Sequence, residues 1–161
     1  MTTAWYTPHS FSPIPVGRSS SSQDAEKKES DDEEEAEDEI FASVEYVCSL
    51  IDGEVSRGVK LERIVVGGFS QGCAISLVAG LVSRYAGRLG AVVGLSGYLI
   101  GGKRVREGRR GYSRSHGKEG NRGEMKVFLA HGTKDMLVPM RVFREGREKM
   151  EGRRWKGFWE R

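Results

Sequence analysis

Apolar residues recur at three- and four-residue intervals from Ile40 onward: Ile40, Phe41, Val44, Val47, Cys48, Ile51 and Val55. That period predicts an amphipathic helix, with Gly58 as its stop. The pattern then changes. Leu61–Gly67 (LERIVVG) is short, apolar and β-branched at its centre, which suits a buried strand of a parallel sheet. After Ser70, the residues Ala74, Ile75, Leu77, Val78, Leu81, Val82 and Tyr85 return to a helical period with a broad apolar face. Ala91–Ser96 (AVVGLS) and Lys126–Ala130 (KVFLA) predict two further buried strands, and Arg141–Met150 a last helix. The alternation predicts an α/β layered fold: a parallel sheet of about three strands covered by two or three helices.

Elsewhere the chain is not periodic. Residues 1–23 carry all but one of the prolines and a run of four serines, and residues 24–39 hold eleven carboxylates and two lysines. A block of like charge repels itself and buries no apolar surface, so 1–39 is expected to be an irregular, disordered acidic arm, with an acidic partner-binding tail as the sharper alternative. The remainder, 40–161, is expected to be one domain. It is interrupted at 103–126 by a Gly/Arg-rich loop with nine Lys/Arg against three Glu. Tyr112 is the only aromatic in that loop, which argues against base stacking, so no nucleic acid is expected as a partner.

Composition narrows the class. A length of 161 residues fits one domain, and a net charge of +3 says little about partners. Cys48 and Cys73 each sit in an apolar, helix-like stretch and read as reduced, buried thiols. There is no C-x-x-C and no metal-ligand spacing, so neither metal nor cofactor is expected. No signal-like start or membrane-length apolar run is present, which makes a cytoplasmic protein the expectation, with the nucleus also open. Oligomeric state is left undetermined.

The chemistry concentrates at Gly68-Phe69-Ser70-Gln71-Gly72, which fits G-x-S-x-G. The spacing means little without its context, a buried strand before and a helix after, and both are predicted here. A sharp strand-to-helix turn puts Ser70 at its tip as a nucleophile. Gly68 and Gly72 keep side chains out of the crowded turn. The helix start aims the Gln71 backbone N–H at the point where an oxyanion develops.

Three blocks, Gly67–Leu77 (GGFSQGCAISL), Gly94–Leu99 (GLSGYL) and His131–Pro139 (HGTKDMLVP), resemble the acyl-protein thioesterase and lysophospholipase/carboxylesterase family of α/β-hydrolases. Ile40–Val55 resembles the helix before that family's nucleophile strand, and Ala4-Trp5-Tyr6 is similar to a short aromatic segment further upstream. The resemblance implies a serine hydrolase that cleaves acyl thioesters or esters, with acylated (palmitoylated) proteins, lysophospholipids or other esters as substrates. It carries the family's acid onto Asp135. The family's histidine follows one more strand beyond the acid. The histidines here are His9, His116 and His131, and none matches that position; His131 aligns with a family histidine before the acid and is expected to be structural. The family's leading strands, with a loop that donates a second oxyanion N–H, have no counterpart before Ile40. Glycine is usual in the family where Cys73 stands. These departures imply a truncated member that lacks the N-terminal strands and the last strand with its histidine, is marginally stable and is catalytically impaired. A catalytically inactive interaction module derived from the fold is the alternative.

Overall fold

The computed structural model describes residues 4–6, 22–100, 103–108, 125–150 and 157–160. Most of the expected irregular segment 1–23, most of the basic loop, His9 and His116 lie outside the described residues.

The first helix, α1, runs Ser22–Ser56. Its buried stripe is Ile40, Val44, Cys48 and Ile51, as the period predicts. The helix also continues back through the acidic block, where the sequence reading places irregular chain. Glu, Lys and Ala are good helix formers, so the block extends a helix that is anchored by its apolar half. Gly58, with φ of +89°, follows the helix end and donates its N–H to the Val55 carbonyl.

A 3-10 turn, Leu61–Arg63, comes next and shortens the expected strand, so β1 is Val65–Phe69. Gly90 closes over this turn, its N–H shared by the carbonyls of Leu61 and Ile64 at 3.1 and 2.9 Å. After β1 come α2 (Gln71–Val82), β2 (Ala91–Leu95), a short helix α3 over 103–108, β3 (Lys126–Ala130), α4 (Met140–Met150) and β4 (Gly157–Glu160).

The sheet has four strands in the order β1-β2-β3-β4, all parallel. Val66, Val92 and Val127 share one register row, and Gly68, Gly94 and Leu129 share another. These rows face α2, which packs on β1 and β2, while α1 packs on α2. Helix α2 is therefore buried from Cys73 through Leu81, enclosed between sheet and α1. Phe143, Gly146 and Met150 of α4 meet Cys73, Leu77 and Leu129 on that same side.

The architecture is a partial α/β-hydrolase sheet, with one correction. The strand expected to be missing after the acid is present as β4, paired to β3 through Val127↔Gly157 and Ala130↔Glu160. β1, the strand that carries the nucleophile, forms the other edge. Among the described residues no strand precedes it.

Candidate active site

Ser70 stands between β1 and α2 with φ 53° and ψ −118°, a region that non-glycine residues avoid. The turn is pinned from both sides. Ser70 N–H donates to the Leu95 carbonyl at 3.0 Å, and the Ser70 carbonyl accepts from Cys73 N–H at 3.0 Å. The serine is the N-cap residue of α2, yet its hydroxyl makes no capping bond. An ordinary turn serine would spend its hydroxyl on the helix N–H groups. Here, among the described residues, the oxygen is left out of the helix cap at the strand end.

The flanking glycines differ in role. A Cβ on Gly68 would stand 2.1 Å from the carbonyl carbon and oxygen of Gly72, so only glycine lets the strand and helix approach this closely. A Cβ on Gly72 would meet Trp5 Nε1 at 3.7 Å, an ordinary contact, so among the described residues Gly72 is not demanded by crowding. Cys73, where the family usually has glycine, fills the notch that Gly94 and Gly97 leave. A Cβ on either would come within 2.6 Å of its sulfur. Burial pushes the Cys73 thiol up to about 12, so it stays protonated and inert.

The Gln71 N–H opens α2, at the positive end of the helix dipole.

Asp135 lies in the loop after β3. Its Oδ1 accepts from the N–H groups of Leu137 and Val138, each at 2.9 Å, and its own N–H donates to the Gly132 carbonyl at 3.0 Å. The N–H of Val138, then that of Leu137, hold its carboxyl below the usual carboxylate range, with a smaller contribution from the Ser96 hydroxyl. Asp135 is thus a fixed anion. β1 and β3 are separated by one strand, so their ends stand about 10 Å apart by strand spacing, with Ser70 directly after β1 and Asp135 in the loop beyond β3. That spacing leaves room for an imidazole between the two strand ends.

His131 does not fill it. Its Nε2 donates to the Val138 carbonyl at 2.9 Å, its ring stacks on Phe143 with centroids 4.6 Å apart, and its Nδ1 is buried without a partner. The ring is buried, and its Nε2 is committed to the far end of the Asp135 loop. Its nearest approach to Asp135 Oδ2 is 3.9 Å, beyond hydrogen-bond reach.

Two further residues at the site, Ser96 and Tyr98, lie outside G-x-S-x-G, and the Gln71 side chain has partners the motif does not announce. Ser96, with φ 45°, repeats the left-handed turn of Ser70 at the tip of the adjacent strand. Tyr98 pairs its hydroxyl with that of Tyr6. The side chain of Gln71 bonds to the main chain of Trp5 and Tyr6. Among the described residues no three His, Cys, Asp or Glu side chains cluster as metal ligands would, and no helix is long and apolar enough to cross a membrane.

A parallel sheet with a strained serine between strand and helix, and a fixed acid two strands along, defines the α/β-hydrolase class. Residues 24–151 match the family model described as phospholipase/carboxylesterase, and the chain belongs to that family. Acyl-protein thioesterase 1 of Yarrowia lipolytica is 41% identical over 99 residues, covering 62% of this chain and 39% of that protein. Acyl-protein thioesterase 1 of Emericella nidulans is 36% identical over 124 residues, covering 77% of this chain and 46% of that protein. The chain thus spans less than half the length of these curated relatives. Among solved structures, a phospholipase/carboxylesterase from Dyadobacter fermentans superposes with a TM-score of 0.60 at 21% identity, over 78% of this chain and 55% of that one. Acyl-protein thioesterase 2 of Zea mays superposes with a TM-score of 0.53 at 20% identity, over 78% of this chain and 58% of that one. Both share its fold.

Proposed function

We propose that this chain carries the nucleophile half of a serine hydrolase of acyl-protein thioesterase or carboxylesterase type. Ser70 Oγ attacks the carbonyl carbon of an acyl thioester or ester, the Gln71 N–H receives the developing oxyanion, and Asp135 orients the base that takes the serine proton. The observation that carries this reading is the strained backbone of Ser70 with its hydroxyl left out of the helix cap. The names of the relatives favour acyl groups on proteins as substrate, with lysophospholipids and simple esters in the same chemical class. A cytoplasmic setting goes with it.

Serine is a weak nucleophile until a positioned base takes its proton. His131 is committed to Val138, so these 161 residues by themselves are expected to hydrolyse palmitoyl thioesters or nitrophenyl esters barely above background. Loss of the base alone costs several orders of magnitude in well-studied triads. Robust turnover that His131→Ala abolishes would assign the base to His131 and overturn this part of the reading. A fluorophosphonate probe tests the nucleophile more directly: Ser70 takes the label, and Ser70→Ala does not. A folded chain that stays unlabelled favours the second reading, a non-catalytic interaction module, for which the sequestered His131 is the supporting observation.

A further inference from the structure

The segment Ala4–Tyr6 lies 65 positions before Gln71, yet the two meet at the start of α2. Gln71 Nε2 donates to the Tyr6 carbonyl at 3.0 Å, and Trp5 N–H donates to Gln71 Oε1 at 3.4 Å. One primary amide therefore engages both a main-chain acceptor and a main-chain donor of the segment. Ser43 on α1 donates its hydroxyl to the Trp5 carbonyl. The Tyr6 ring is buried at 7% exposure and its hydroxyl meets that of Tyr98, just past Ser96. Burial is the first cause that raises both phenols above their usual range, so both remain neutral.

The main chain of Trp5 is thus fixed at its N–H and its carbonyl, and the next residue is anchored by its ring. The Trp5 indole nevertheless stands 42% exposed. Its Nε1 comes within 3.7 Å of the point where a Cβ on Gly72 would be, in the first turn after Ser70. A large aromatic side chain on a rigid main chain usually spends its surface on the core. This one is held open beside the nucleophile.

We propose that Trp5 is a specificity-determining residue of the Ser70 site: a fixed indole surface for the apolar chain of an acyl substrate, with the side chain of Gln71 as the positioning group that holds it there. The proposal rests on the reading of Ser70 as nucleophile. It gives Gln71 two separable parts, a backbone N–H for the oxyanion and a side-chain amide for the acyl wall.

The test uses the 161-residue chain and two fluorophosphonates that differ only in alkyl length, ethyl against dodecyl. The parent is expected to label faster with the long chain. Trp5→Ala lowers the long-to-short rate ratio by about tenfold, the scale of apolar surface lost from contact, and leaves the short-chain rate within about twofold. Gln71→Leu lowers the same ratio with the indole still present. A long-to-short ratio unchanged in Trp5→Ala overturns the proposal while the nucleophile reading stands. If Ser70 takes no label from either probe, the acyl wall is read by tryptophan emission instead. A bromododecanoate probe is expected to quench the parent and to quench Trp5→Phe less, with bromoacetate as the collisional control. Quenching that Trp5→Phe leaves unchanged overturns the proposal independently of any chemistry at Ser70.

Discussion

Val66, Gly68, Val92, Gly94, Val127 and Leu129 project to one face of the sheet; Val65, Gly67, Phe69, Val93, Leu95 and Phe128 project to the other. The two sets are equally apolar. On the first face Val92, Val127 and Leu129 are at most 3% exposed, whereas on the second Val65, Phe69 and Leu95 are 58%, 68% and 40% exposed. Parallel sheets are normally covered on both faces. Apolar content therefore does not tell which face of this sheet is packed. Helix α2 does, through glycines that let it press against β1 and β2. The candidate site residues Ser70 and Asp135 lie on the rim between the two faces, beyond the ends of β1 and β3.

The comparison breaks or holds on paired substitutions. The largest effect is expected from Leu129→Ala on the packed face, at about 2–5 kcal/mol of lost stability from the cavity alone, read from urea midpoints. Gly68→Ala comes next, because its Cβ would meet the Gly72 backbone at 2.1 Å. Overpacking against backbone costs about 1–3 kcal/mol or more. Its sequence neighbour Gly67 points the other way, where a Cβ would stand 3.3 Å from Val93 Cβ and the Val93 carbonyl oxygen. Gly67→Ala is expected to stay within about 1 kcal/mol of the parent. Equal costs at the two glycines would remove the distinction between the faces. Phe69→Thr on the open face is expected to change stability by about 0.5 kcal/mol or less, with the gain appearing as solubility.

The smallest effect belongs to the rim. The Asp135 carboxyl is lowered from 3.8 in the folded chain, so its contribution to stability is present above that value and lost as pH falls through the folded one. The difference between the parent and Asp135→Asn should therefore narrow as urea titrations move from neutral pH into acid. A difference that stays constant across that window would mean that the bonds from Leu137 and Val138 do not favour the ionised form.

Helix faces and strand bounds, unlike the choice of packed sheet face, were largely legible in the sequence, because a helical apolar period reports burial directly. Lys126–Ala130 is β3 with the expected bounds, and the stripe Ile40, Val44, Cys48 and Ile51 is the buried face of α1. Ser70 was legible because strand, glycine and helix follow one another locally. What was not legible depends on distant partners. Leu61–Arg63 coils instead of extending, with Gly90, far along the chain, donating to the carbonyls of Leu61 and of Ile64 just after it. β4 is four residues long and is a strand because β3 offers it an edge. The aromatic segment at Trp5 carries no local sign that the side chain of Gln71 is its anchor. The equivalence assumed for Gly68 and Gly72 failed to separate crowding, which acts at the first, from an ordinary contact at the second.

One tie between the two charged stretches bears on how the chain folds. The buried carboxylate of Glu37 accepts the Arg104 N–H at 3.1 Å, across 67 positions, while Arg104 Nη1 pairs with Asp38 and its guanidinium lies over the Phe41 ring. The loop this closes contains β1, α2 and β2 entire. A contact so distant in sequence is costly to form before the chain between its ends is ordered. The strand–helix–strand unit is thus expected to assemble first and the tie to latch it afterwards, making the bracketed segment one cooperative opening unit. Amide exchange should then be slowest and most uniform between α1 and α3. The amides of β4, outside the latch and paired on one side to β3, should exchange through smaller, independent openings.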